Sequence, residues 1–440
     1  MAGNPVLEAA VQAVELDAFN NDIPDLIAHD KTVYSWLKNN AQVITVAQST
    51  FAGGITRPSF RVPMRIQAGA AISQGTGNAD SLGRGSGSQW TGFALPAVFY
   101  YNVCEIAYLP RIATEGRKRG LFNIQAAELK NTLQQAVQGL EAQLVSDGQG
   151  TLDQIPSTAT INNGTGTGQS LSSIVNLNNS FNFQDQQLVQ VIPAAGPPAR
   201  GTFTVSYVDP VTNTIFSAGS LPVGTVVGDF LTVAGSPGTA GSSILGIRAW
   251  NINSNTGVIG GLSRANYPSR LSTPTINLQG ASLALTTGYR AEVLLGRALG
   301  PGNEAIDNAQ WLTGPDQVMQ MSNLYFAAVI ANAMDQKSDT VKDMTPKNMP
   351  ITYAGRQVLK SYTYQPGRLD LITPDTWRLT ELQSLQLYDF GGGQTTAPVP
   401  DLVGGGYLTS SMFAYTAACN LCNANPRAAL YITNAAIPVI

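Results

Sequence analysis

Apolar and polar residues largely alternate along residues 59–67 (Ser-Phe-Arg-Val-Pro-Met-Arg-Ile-Gln), the two-residue period of a strand. Pro63 would interrupt the ladder of a central strand, so the run suits an edge or a free hairpin. Residues 73–88 place Gly75, Gly77, Gly83, Gly85 and Gly87 among serines, the composition of a mobile tip. Residues 89–108 are strand-like again, with Trp90, Phe93, Val98, Phe99, Tyr100, Tyr101 and Val103. Two strands of about 12 residues would reach on the order of 40 Å. A two-stranded ribbon is marginal alone. The pattern therefore predicts an arm that cannot bury its own apolar face and needs copies of the chain as neighbours.

A helical period follows over residues 121–146, where Leu121, Ile124, Leu129, Leu133, Val137, Leu140 and Leu144 form one stripe, ended by Asp147-Gly148. Before the ribbon, Leu7, Val11 and Val14 predict a short helix after Pro5. Asp22 and Pro24 predict the start of a second helix through Ile27, Val33, Trp36 and Leu37, with a strand over 42–48. From about 174 to 249 the pattern is all-β, including runs at 202–208 and 225–233. Helices return at 286–299 and 315–333, strands at 358–372, a Gly/Pro-rich loop at 391–406, and two strand-like runs at 407–421 and 428–432. No internal repeat of 20–50 residues is present.

Composition narrows the function. Charged residues make up 12% of the 440-residue chain, so its polar surface rests on Asn, Gln, Ser and Thr. Such a surface can be buried between subunits without stranding many charges. The net charge is −3, and no lysine occurs in residues 131–336, against the basic surface of a sequence-reading DNA binder. One basic run, Arg111, Arg117, Lys118 and Arg119, reads either as a solvated helix start or as a face turned to packaged nucleic acid. No signal peptide is evident, and the longest apolar stretch, 324–334, is too short to span a bilayer.

Candidate chemistry is sparse. The single histidine, His29, has no paired acid or cysteine near it in sequence, and supports neither a zinc site nor a triad. Cys419 and Cys422 form one C-x-x-C pair late in a strand-like run, with Cys104 the remaining thiol, and read as buried. The glycine clusters 164–168 and 391–393 lack the Gly-Lys-Ser/Thr of a phosphate loop. No Gly-x-Ser-x-Gly elbow surrounds a plausible nucleophile. No catalytic residue, cofactor site or metal site is expected, and an enzyme is the least supported class.

The order of parts resembles the major capsid proteins of tailed double-stranded-DNA bacteriophages, with the α+β HK97-like fold. Arg57-Pro58 and Val62-Pro63 enter the extended loop. Asp147-Gly148-Gln149-Gly150 follows the long helix. Gly261-Leu262-Ser263-Arg264-Ala265-Asn266-Tyr267-Pro268 looks like the link into the axial domain, and residues 281–286 like the start of its helix. The resemblance implies an N-terminal arm at 1–58, an extended loop at 59–103 and a peripheral domain with the spine helix at 104–175. A β-rich insertion at 176–255, an axial domain at 256–375 and returning C-terminal strands at 376–440 complete it.

It also implies hexamers and pentamers of an icosahedral shell around the phage genome, with the chain made in the host cytoplasm and housed in the virion. Arg61, Met64, Arg65, Trp90 and Phe93 would carry inter-subunit contacts of the loop, and the basic run would face the DNA without sequence preference. Expected partners are a separate scaffolding protein, a portal and a decoration protein, with no membrane. No lysine lies between Lys38 and Lys118, so the covalent cross-link that some members form through a loop lysine is not expected. An encapsulin-type compartment with cargo in place of DNA, or another virion structural protein, are the alternatives.

Overall fold

The computed structural model describes residues 33–40, 42–45, 59–67, 87–107, 124–163, 172–196, 198–234, 243–299, 307–324, 352–390, 396–401 and 406–437. The tip at 73–86, the helix expected at 5–18, His29 and the basic run Arg111, Arg117, Lys118 and Arg119 lie outside these residues. The chain divides into two compact units.

The smaller unit draws on Phe99–Leu140 and Glu381–Cys419. Its strand Val98–Ala107 alternates, sending Tyr100, Cys104 and Ile106 inward and Phe99, Tyr101 and Val103 outward. The inward set packs with Leu129 and Ala136 of the long helix Ile124–Val145 and with Leu385, Leu387, Phe413 and Tyr415 of neighbouring strands. Asn102 Nδ2 donates to the Thr132 carbonyl (3.2 Å) and the Tyr415 hydroxyl to the Leu129 carbonyl (3.3 Å). The helix turns Thr132 and Ala136 to the sheet, small residues that permit a close approach, and Leu133 is left 39% exposed. The expected stripe is thus rotated at Leu133. Ala397–Asp401, inside the expected loop 391–406, pairs with Gly406–Asn423 at the end of its sheet, where Pro398 and Pro400 cost least.

The larger unit draws on Val33–Val98, Glu141–Thr380 and Asn420–Ile440. Its first core is a six-stranded mixed sheet in the order Thr275–Asn277, Ala429–Thr433, Leu369–Ile372, Gln310–Thr313, Arg356–Lys360, Thr352–Tyr353. Helix Leu285–Leu299 lays Ala291 and Leu295 on it, against Trp311, Tyr353, Leu371 and Leu430. A second core fills a seven-stranded antiparallel sheet running from Thr151 to Val233, with Ile174, Val189, Val191, Phe203, Val205 and Leu231 inside. This sheet begins 25 residues before the expected boundary at 176, because strands of three or four residues such as Thr160–Asn162 are too short to show alternation.

The strand expected over 225–233 is a strand only at Phe230–Val233. The preceding residues fold into a loop in which Thr225 Oγ1 donates to the Pro222 carbonyl (2.7 Å). The buried Asp229 carboxylate accepts the Val226 amide (2.9 Å) and Arg200 Nε (2.7 Å). Local side-chain bonds here outcompete the β preference of the valines.

Candidate assembly surface

Strands Ser59–Gln67 and Gln89–Pro96 pair antiparallel, with Phe60 opposite Leu95, Val62 opposite Phe93 and Arg65 opposite Trp90. The period of two puts Phe60, Val62, Met64, Phe93 and Leu95 on one face, all buried. The other face carries Arg61, Pro63, Arg65, Trp90 and Ala94, all exposed, with Trp90 at 62%.

The inner face is covered by the chain's own residues. Phe93 meets Trp250 edge-on with ring centroids 4.8 Å apart. The Ala94 amide donates to the Gly260 carbonyl (2.8 Å), Arg270 Nε to the Ile66 carbonyl (3.0 Å) and Asn420 Nδ2 to the Pro96 carbonyl (2.7 Å). Gly260 has φ +54°, and a Cβ there would lie 2.9 Å from Phe93 Cδ1, so glycine is what lets the ribbon seat. Two of the five expected contact residues, Met64 and Phe93, are therefore buried inside the chain. The expectation of an arm with an uncovered apolar face is corrected by the same contacts. Arg61, Arg65 and Trp90 stay on the free face.

The platform beneath the ribbon is held by buried arginines. Arg264, in the motif 261–268, donates to the carbonyls of Leu271 (2.6 Å) and Ala249 (2.8 Å), tying the ends of the short helices Pro268–Leu271 and Ile247–Trp250. Arg368 grips Asp370 through Nε (2.8 Å) and Nη2 (3.1 Å), and donates to the Asn251 carbonyl (2.7 Å). Asn251 Nδ2 (2.9 Å) and the Tyr364 hydroxyl also donate to Asp370, and the Tyr431 ring lies 4.5 Å from the Arg368 guanidinium. Burial pushes the Asp370 carboxyl up and the Arg368 guanidinium down to about 9, the cost of placing both groups inside the unit. Sequence reading singled out the motif around Arg264 but found neither its carbonyl partners nor Trp250, Arg270 and Asn420. Those residues are separated from the ribbon by more than 150 positions.

Other chemistry is thin. Cys419 and Cys422 are free and buried, and burial pushes the Cys419 thiol up to about 12. Among the described residues no group of three or more His, Cys, Asp or Glu is placed to hold a metal. No helix among them is long and apolar enough to cross a membrane.

No family model matches the sequence, and no curated protein matches it. Solved structures do. The capsid asymmetric unit of cyanophage A-1(L) aligns over 94% of this chain and 96% of that one, at 12% identity and a TM-score of 0.50. The capsid of a native GTA particle aligns over 97% and 99% (11% identity, TM-score 0.45), and a chain from Gordonia phage Cozz over 98% and 96% (12%, 0.44). The chain has the HK97-like capsid fold.

Proposed function

We propose that this chain is a major capsid protein that tiles as hexamers and pentamers into an icosahedral shell around a double-stranded DNA genome. The observation that carries this reading is the ribbon on an HK97-like fold, with one face fastened to its own chain and the other bearing Arg61, Arg65 and Trp90 in the open. A large exposed aromatic beside arginines is the composition of an interface centre. Phe99, Tyr101 and Val103, outward on their strand in the smaller unit, form a second apolar face for a neighbour to cover.

In this reading residues 1–58 are the N-terminal arm, 59–103 the extended loop and 104–175 the peripheral domain with its spine helix. Residues 176–255 are the β-rich insertion, whose sheet starts earlier at Thr151, 256–375 the axial domain and 376–440 the returning strands. A separate scaffolding protein, a portal and a decoration protein are its partners. The run Arg111, Arg117, Lys118 and Arg119 meets packaged DNA through phosphates, the chain is synthesised in the bacterial host cytoplasm, and it performs no catalysis.

Negative-stain microscopy of the purified full chain, alone and co-expressed with neighbouring phage proteins, tests the reading. Closed shells of uniform diameter are expected. Tubes, planar sheets or dispersed single copies under every condition would overturn it, and shells filled with protein cargo in place of DNA would favour the encapsulin alternative.

A further inference from the structure

Two segments leave the seven-stranded sheet side by side at one end: residues 193–200, after strand Leu188–Ile192, and residues 221–229, before strand Phe230–Val233. Ile192 and Phe230 are register partners. A Cβ on Gly228 would lie 3.9 Å from the Ala194 Cβ, and Arg200 donates to Asp229 through Nε (2.7 Å) and Nη2 (3.1 Å). The backbone is fastened as well. The Gly228 amide donates to the Ile155 carbonyl (2.8 Å), the Ile155 amide to the Asp229 carbonyl (2.9 Å) and the Arg200 amide to the Val191 carbonyl (2.8 Å).

Out of this fixed frame stand Val223 (94% exposed), Val226 (49%) and Val227 (44%), with Ala194, Ala195 and Pro198 exposed on the companion segment. The two segments hold one acid and one cation, Asp229 and Arg200, and these neutralise each other. A single exposed valine needs no explanation, but three on a loop held by its own bonds, with no free charge among them, form an apolar cap. A loop already ordered loses little freedom when it is covered.

The size of the cap decides what can cover it. A fully exposed valine side chain offers about 100 Å², so the valines and their neighbours present on the order of 300 Å². A stable complex between free proteins buries about 800 Å² on each partner. A partner arriving from solution would have to offset its lost translational freedom with less than half that area. A copy of this chain already held in a shell has no such freedom left to lose, because its neighbours fix its effective concentration. Charge points the same way. The cap has no free charge to attract an acidic or basic partner, and two caps can face each other without like charges meeting.

We propose that the caps of neighbouring copies pack on each other in the assembled shell, covering Val223, Val226 and Val227 of both, and stay apart in the unassembled chain. The inference rests on the capsid reading and adds to it a contact outside the ribbon.

Val223→p-benzoylphenylalanine places a photo-cross-linker at a position exposed enough to accept it. Irradiated shells should give chain dimers on a denaturing gel, with cross-links that map by mass spectrometry from position 223 to residues 193–200 or 222–228 of the second copy. The unassembled chain at the same concentration should give none. Val223→Asp should leave the urea midpoint of the unassembled chain unmoved and lower the urea concentration at which shells disperse. Val211→Asp, 88% exposed beyond the far end of strand Gly201–Asp209, should lower neither. Cross-links that map elsewhere or to a different virion protein, none in intact shells, equal dimers in the unassembled chain, or aspartate variants whose shells disperse alike would overturn the proposal. Shells that form without the cross-link sink the contact alone, whereas a wild type that forms none under any condition sinks the capsid reading with it.

Discussion

Replacing Phe93 by alanine removes the ring that fastens the ribbon to its platform. Phe93 is fully buried, stacks edge-on with Trp250 at 4.8 Å, and fills the space left by Gly260. Truncating a buried phenylalanine costs about 3–5 kcal/mol, which includes the loss of the aromatic pair. The platform is held independently by Arg264, Arg368 and Asp370, so the cavity cannot easily collapse and the upper part of that range applies. The cost falls on local opening of the ribbon. At about 1.4 kcal/mol per factor of ten, amide protection in Ser59–Gln67 and Gln89–Pro96 should drop by about a thousandfold or more. Exchange measured by mass spectrometry on the unassembled chain gives the number. Trp90→Ala, on the exposed face of the same strand, should change protection by less than about threefold, since surface substitutions stay within about 0.5 kcal/mol. Equal losses in the two variants, or none in Phe93→Ala, would refute the division of the ribbon into a fastened and a free face.

Three further outcomes concern buried residues away from the ribbon. Gly288→Ala adds helix propensity, worth about 1 kcal/mol. Yet it would set a Cβ 2.6 Å from Ala354 Cβ and 3.0 Å from Tyr353 Cε1, so the clash should win and lower the urea midpoint by the equivalent of about 1–3 kcal/mol. Asp370→Ala strips Arg368 of its buried partner and should destabilise the unit by about 3–5 kcal/mol in the same assay. Cys419 and Cys422 should resist alkylation at pH 8 in the native chain, since burial holds both as thiols, and should react fully in denaturant, as read by peptide mass mapping.

The parts of the fold that obey a local period were legible in the sequence. Ser59–Gln67 and Ile124–Val145 lie within a few residues of their expected bounds, because alternation and the 3.6-residue repeat are set by neighbouring positions, whereas the single run expected over 89–108 is two strands, Gln89–Pro96 and Val98–Ala107. Gly148, with φ +80°, ends the helical segment where Asp147-Gly148 predicted, and its missing side chain admits Leu245 and Ala249. What a period cannot reveal is the surface that covers an apolar face. Phe93 looked available for a neighbour because Trp250 and Gly260 lie more than 150 residues downstream. The burial of Glu141 and Gln143, 5% and 7% exposed, was invisible for the related reason that the helix is buried on every side after Leu140, so a polar position in the repeat is no longer a solvated one.

The measurement nearest the central claim is particle formation by a ribbon altered on its free face. Arg65→Ala combined with Trp90→Ala should leave the unassembled chain folded, with wild-type exchange protection and circular dichroism. The same variant should yield few or no closed shells by electron microscopy under conditions where the wild type assembles. Shells formed in normal number and diameter by this variant would contradict the claim that the outer face of the ribbon joins one copy to the next.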